Sequence, residues 1–210
     1  MTLPVKNLAI LYIVRHGQTD WNVVKRVQGQ TDIPLNTTGE EQARQIARLF
    51  KNIHFDAVFS SDLLRAKRTA EIITLEKNLA VQTTHLLRER NFGPYEGIYV
   101  EDLKELEKDL ENLSREERSS HKLHPDIEND EELVGRFITF LREISVAYAG
   151  KNVLIVCHGA LMRIFLIHLG FASYQTLGHG TIENTAYLKV FSDGMEFDVK
   201  EAHGVHVKDR

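Results

Sequence analysis

The sequence predicts an α/β fold, a three-layer α/β/α sandwich with a mainly parallel central sheet, and three features predict it. Residues 8–14 (LAILYIV) and 153–156 (VLIV) are unbroken apolar runs of strand length, the pattern of parallel strands covered on both faces. Segments of helical periodicity alternate with strand candidates along the chain. The 210 residues, 42% hydrophobic and 27% charged, are enough to bury one core, which predicts a single domain over residues 1–210.

The first apolar run ends on Arg15, His16 and Gly17. Residues 18–36 lack steady periodicity and contain Gly29, Asp32, Pro34 and Asn36, so they read as a loop. Trp21, Val23, Val24 and Val27 make that loop too apolar to be disordered, and its length marks it as functional. Thr38 with Glu41 spells a capping box, and Ala43, Ile46, Ala47 and Phe50 follow at helical spacing, giving a helix to about Lys51. DAVF at 56–59 is a second short strand, after which Ser61 or Asp62 caps a helix with Leu63, Ala66, Ala70 and Ile73 on one face.

Between Glu96 and Glu132 the chain becomes dense in both signs of charge and poor in large apolar groups (EDLKELEKDLENLSREERSSHKLHP at 101–125). It reads as a solvated helical pair, and its insertion between core elements makes residues 94–130 a small helical cap over a pocket. Leu133, Phe137, Ile138, Leu141 and Ile144 form an amphipathic helix stopped by Gly150. The 153–156 strand then ends in Cys157-His158-Gly159, residues 160–169 form a buried helix closed by Gly170, and strand candidates lie near 185–191 and 195–200.

Twenty-six Lys plus Arg against 30 Asp plus Glu give a net charge of -4, so nothing advertises a nucleic acid or membrane partner, and any anion site must be local. The lone cysteine, Cys157, excludes an intramolecular disulfide framework and a Cys-cluster zinc site and fits a reducing compartment. The apolar run before Arg15 is too short to span a bilayer and lacks a cleavage site, so a cytoplasmic location is expected. Oligomeric state is not legible, and a homodimer stays open.

Two buried strands that each end in His-Gly place His16 and His158 outside the carboxyl edge of one sheet, where open α/β folds keep their ligand crevice. A histidine beside an arginine there is either a structural hydrogen-bonding residue or an actor on an anion. Two such sites favour the second.

LYIVRHGQTDWN at 11–22 resembles the histidine phosphatase superfamily, the phosphoglycerate mutase-like fold, in its Arg-His-Gly triplet. The similarity continues in order through Gln28-Gly29, Thr31-Asp32-Ile33-Pro34-Leu35 and Gly39; Ser60 to Ala66 (SSDLLRA); Leu87-Arg88-Glu89 with Phe92-Gly93 and Glu96-Gly97; and Cys157-His158-Gly159. The resemblance implies a phosphatase that hydrolyses phosphate monoesters of small metabolites through a phosphohistidine on His16, with no metal and no cofactor. Arg15, Arg65 and His158 would cradle the phosphate, whose dianionic charge otherwise repels nucleophiles. His16 would attack through Nε2, which requires a neutral imidazole whose Nδ1 proton goes to a carbonyl near Gly17, with nearby arginines disfavouring protonation. Glu89 would protonate the leaving oxygen and later take a proton from water. Read without the family, a glutamate between two arginines (Leu87-Arg88-Glu89-Arg90) is an ordinary surface ion pair.

Thr19, Asn22 and Gln28, with Gly29, match family positions that contact phosphate or substrate; as plain residues they read as loop hydrogen bonders. Gly17 would permit close backbone approach to the phosphate, Gly159 would offer an amide at a helix start, and Arg90 resembles mutases and sugar bisphosphatases. Asn184 resembles a further, short block. The chain departs from the mutases in a short segment after Glu89 without their Trp-Arg-Arg pattern, and from many members in reading Asn129-Asp130-Glu131 where they have Gly-Glu-Ser.

Other readings compete. CHGALMR at 157–163 has the Cys-x5-Arg spacing of thiolate phosphatases, yet it has one glycine, and Ile164 stands where a Ser or Thr is needed. His121 with His124 and His203 with His206 are closely spaced but sit in no ligand set. A non-catalytic binding module would be marked by loss of the nucleophile or an arginine, and both are present. Phosphoglycerate mutase-type transfer remains the alternative to hydrolysis.

Overall fold

A computed structural model describes residues 8–75 and 77–208. Its centre is a six-stranded sheet in the order β3-β2-β4-β1-β5-β6, with β1 Ala9–Arg15, β2 Ala57–Ser61, β3 Val81–Thr84, β4 Asn152–Cys157, β5 Ile182–Ser192 and β6 Phe197–Val205. The first four of these in spatial order run parallel, and β5 and β6 are antiparallel additions at one side. β1 and β4 are central, which is why their sequences are apolar without alternation.

Alternate residues of these strands feed two cores. Tyr12, Val14, Leu154 and Val156 pack with Phe50 and Phe55 beneath α2 (Thr37–Leu49) and α3 (Leu64–Thr74). Leu11, Ile13, Val153 and Ile155 pack on the other face with Phe137 and Leu141 of α6 (Asp130–Ala147) and Leu161 and Phe165 of α7 (Gly159–His168). This gives the three layers expected, each such buried side chain contributing roughly 1.5–3 kcal/mol.

Several local expectations are corrected. The predicted loop at 18–36 holds a short helix, α1 (Asp20–Val23), capped by Thr19 in a reciprocal box with Asn22. Helix α2 is capped by Asn36, whose side chain accepts from the Gly39 amide at 2.8 Å; Thr38 already lies inside the helix, and Glu41 turns outward to Arg44 and Arg48. Neither Ser61 nor Asp62 caps α3: Asp32, from the distant loop, accepts from the Leu64 amide at 2.7 Å, and Asp62 pairs with Arg88. Strand β3 went unforeseen because, as an edge strand, it buries too little to need an apolar run.

The charged segment forms a 3-10 turn at Gly93–Tyr95, helix α4 (Val100–Leu106), a second 3-10 turn at Lys108–Asn112 and helix α5 (Arg115–Ser120). Val27, Phe92 and Leu103 make a small core of their own under it. No helix among the described residues is long and apolar enough to cross a membrane.

Candidate active site

Parallel pairing sets Arg15 beside Cys157, and the His16 amide donates to the Cys157 carbonyl at 3.0 Å. The two histidines that follow these positions therefore sit side by side at the carboxyl edge, their ring centroids 5.2 Å apart. His16 Nδ1 lies 2.7 Å from the Gly17 carbonyl oxygen, which can only accept, so Nδ1 holds the proton and Nε2 keeps its lone pair. Burial, followed by the charges of Arg65 and Arg15, holds the His16 imidazole well below the usual histidine range, against the opposing pull of the Gly17 carbonyl. The sequence suggested the arginines; burial is the larger cause. His158, fully buried, is lowered for the same first reason, and neither of its ring nitrogens has a partner among the described residues.

Arg65 is fully buried at the start of α3, a placement that only fixed acceptors make tolerable. Its guanidinium donates to the carbonyls of Gly29 at 2.7 Å and Thr31 at 2.9 Å, leaving Nε unpartnered. Burial lowers its pKa to about 10, partly offset by Glu89, so it stays a cation at neutral pH. The loop that supplies those carbonyls is pinned by Glu96, which accepts from the amides of Gln30 at 2.8 Å and Thr31 at 2.9 Å. Gly29 is required there: its φ is +52°, and a Cβ would lie 2.1 Å from the Glu96 carboxylate.

Arg15 donates to the Ile182 carbonyl, and its Nε is also unpartnered. Gly159 lets it approach, since a Cβ there would stand 3.1 Å from that Nε. Glu89 lies across the start of α7, accepting from the amides of Ala160 at 3.0 Å, Leu161 at 3.2 Å and Arg90 at 2.9 Å, where the helix end favours an anion. Asn22 receives the Thr19 amide and the Asn184 side chain on its carbonyl oxygen.

These groups face one cavity of about 650 Å³, lined by Arg15, His16, Asn22, Gln28, Gly29, Arg65, Glu89, Gly159 and Asn184. Four residues from the sequence reading do not line it. His158 is fully buried beside His16, its ring centroid 5.2 Å from that of His16. Thr19 is buried behind, within hydrogen-bonding distance of Asn22 and Gln28. Gly17 is forced by packing and not by a ligand, because a Cβ would meet the Gly39 carbonyl at 2.4 Å. Arg90 turns away into a buried ion pair with Asp130, which also accepts from the Tyr174 hydroxyl at 2.6 Å. In the stretch read as 129–131, Asn129 caps α6, Asp130 is the partner of Arg90, and Glu131 accepts from the Ser119 hydroxyl at 2.9 Å.

Sequence reasoning missed the other end of the cavity. Arg163 lines it together with His179, whose Nε2 lies 2.7 Å from the Glu107 carboxylate; Arg118 stands 3.8 Å from the same oxygen. Burial works to raise Glu107, but the His179 hydrogen bond and the charges of His179, Arg163 and Arg90 outweigh it and hold the carboxyl at about 2. Burial also lowers His179, ahead of the Arg163 charge. A single acid within a charged run gives no signal of this role.

Cys157 lies inside the hydrophobic core, where burial pushes its thiol well up, so the Cys-x5-Arg spacing builds no thiolate loop. Of the paired histidines, His206 bonds to Glu183 and His203 stacks on Tyr187.

The fold and this constellation define a class, and comparison with known proteins identifies it. The profile of the histidine phosphatase superfamily (branch 1) matches residues 11–203, and the chain belongs to that superfamily. It is 40% identical over 157 residues, 75% of each chain, to PhoE of Bacillus subtilis, described as an uncharacterised phosphatase. It is 33% identical to phosphoglycerate mutase-like protein 4 of Arabidopsis thaliana, over 74% of this chain and 68% of that one. Among solved structures, phosphoglycerate mutase from Bacillus anthracis superimposes with a TM-score of 0.80 at 29% identity, over 95% of this chain and 94% of the other.

Proposed function

We propose that this protein hydrolyses phosphate monoesters of small metabolites by way of a phosphohistidine on His16. The observation that carries the reading is the His16 ring itself: Nδ1 engaged by Gly17, the imidazole kept neutral, and unpartnered donors of Arg15, Arg65 and His158 gathered around it. A phosphoryl group entering there would satisfy donors whose burial otherwise costs roughly 1–3 kcal/mol each.

In the first step His16 Nε2 attacks phosphorus in line while Arg15, Arg65 and His158 hold the non-bridging oxygens. The P–O ester bond breaks, and Glu89, as general acid, gives a proton to the leaving oxygen so that an alcohol departs. In the second step Glu89 takes a proton from water, the resulting hydroxide displaces His16 from phosphorus, and inorganic phosphate leaves. The proton that departs with the alcohol is replaced on Glu89 by one from water, and the enzyme is regenerated. Neither step calls on a metal or cofactor.

Residues 94–130 act in this reading as a cap within a single domain: α4 sets Val100, Leu103 and Lys104 over the pocket. The similarity to phosphoglycerate mutases supports a second outcome, in which the phosphohistidine donates to a second substrate instead of water. The test is to quench the enzyme with a labelled monoester and isolate the adduct. An acid-labile, alkali-stable label, absent in His16→Ala, is expected; a label that survives this substitution refutes the reading. Turnover with and without a bisphosphate primer separates hydrolysis from transfer.

A further inference from the structure

The Glu89 carboxylate is held on its cavity side by backbone amides, but its own backbone is held from the opposite side. There Arg136, on α6, spreads its guanidinium over three groups. It donates to the Leu86 carbonyl at 2.7 Å, to the Glu89 carbonyl at 3.1 Å, and through Nε and a terminal nitrogen to Glu128 at 2.6 and 3.0 Å. Both members of the pair are largely buried, with side chains 16% and 14% exposed. Glu128 in turn lies 3.3 Å from the Asn91 amide, and its own amide donates to the Asn91 carbonyl at 3.0 Å. Residues 86–91 are thus gripped on both flanks of Glu89 by one bidentate ion pair anchored in the most apolar part of α6.

The segment needs such a grip. It runs from a single 3-10 turn at His85–Leu87 to another at Gly93–Tyr95, with neither helix nor strand between them. The flanking Arg88 pairs with Asp62 and Arg90 with Asp130, and the Gln30 side chain donates to the Glu89 carbonyl at 3.2 Å; Arg136 adds the hold that spans Leu86 to Glu89, and a proton donor displaced by about 1 Å loses much of its effect. Only a planar, forked cation can hold two carbonyls and a carboxylate at once.

We infer that Arg136 and Glu128 are positioning residues for proton transfer by Glu89, acting from outside the cavity. This rests on the assignment of Glu89 as general acid, and the test separates the two. Leaving-group dependence supplies the readout: an alkyl phosphate needs a proton on its departing oxygen, whereas 4-nitrophenyl phosphate, with an acidic leaving group, scarcely does.

Arg136→Lys retains both the positive charge that acts on His158 and its pairing carboxylate, whereas Glu128→Gln retains the charge at position 136 but removes that carboxylate. For Arg136→Lys, kcat/KM on the alkyl phosphate is expected to fall on the order of 10- to 100-fold and that on 4-nitrophenyl phosphate by less than about threefold. Glu128→Gln, which leaves Arg136 in place and serves if the first variant does not fold, is expected to show the same selectivity at smaller size. A loss equal on both substrates, or no loss, overturns the inference. Glu89→Gln is measured beside them. If it shows the selective loss and the clamp variants do not, the clamp is wrong and the acid stands; if it shows no selectivity, the assignment of Glu89 has failed and the clamp falls with it.

Discussion

The floor of the cavity and its roof are built by opposite means. The floor is made from strand ends and helix starts, with Arg15 and His16 at the end of β1 and Gly159 opening α7 after β4, and His158 buried beside them. The roof is short helices and 3-10 turns, tied to the body by charged groups: Glu107 to His179, and Arg115 to the carbonyls of Ile167 and His168 at 2.9 Å each. The floor is rigid because sheet hydrogen bonds and apolar packing fix its backbone. The roof is held by ion pairs that must desolvate, so its position depends on every member being present. In the proposed reading chemistry belongs to the floor and discrimination among substrates to the roof.

Substitutions on the two sides should therefore fail differently. His16→Ala is expected to have the largest effect, lowering kcat by at least about 10³-fold with little change in melting temperature, because it removes the proposed nucleophile. Glu107→Gln, on the roof, leaves Arg163 and Arg118 without their carboxylate and is expected to destabilise by roughly 3–5 kcal/mol in denaturant titration. Its surviving activity should show a raised KM with kcat changed far less; a collapse of kcat at constant KM would place Glu107 in the chemistry and break the comparison.

Acid separates the two by titration window. His16 and His158, and His179 at the roof contact, are lowered from an ordinary value of 6.5, so the unfolded chain binds protons that the folded protein refuses, two of the three sites lying in the floor. Stability is then lost as pH falls below about 6.5, by at most about 1.4 kcal/mol per pH unit for each histidine, and the loss levels off below their folded values. The roof carboxylates behave otherwise: Glu107, lowered from 4.5 to about 2, contributes stability that is lost only as pH falls below 4.5. Unfolding midpoints measured from pH 8 to 4 should begin to drop near 6.5, and His16→Asn should flatten that first limb. The smallest effect is expected at Cys157→Ala, which lies in the core under the floor: about 1 kcal/mol of stability and unchanged turnover.

The same contrast governs what could be read from the sequence. β1 and β4 were legible because burial on both faces leaves unbroken apolar runs, and the histidines after them stood out as polar breaks at strand ends. The ordered motifs gave Arg65 and Glu89, although nothing in their spacing reveals that Gly29 and Thr31 supply the acceptors. The roof was legible as helices and not as a site. Glu107 is nearly buried inside a run of exposed acids, and only the tertiary position of His179, more than 70 residues later, distinguishes it. Arg90 and Gly17 were assigned to the ligand because the motif contains them, whereas one neutralises Asp130 and the other makes room for Gly39. Motifs mark which residues travel together; packing decides which of them touch the substrate.

The account depends most on the protonation state of one ring, and nitrogen-15 NMR of labelled histidine reads it directly. At pH 7 His16 should appear as the neutral tautomer protonated on Nδ1, with Nε2 bare and its titration displaced below 6.5, and the signal should vanish in His16→Ala. An imidazolium at pH 7, or a proton on Nε2, would contradict the account.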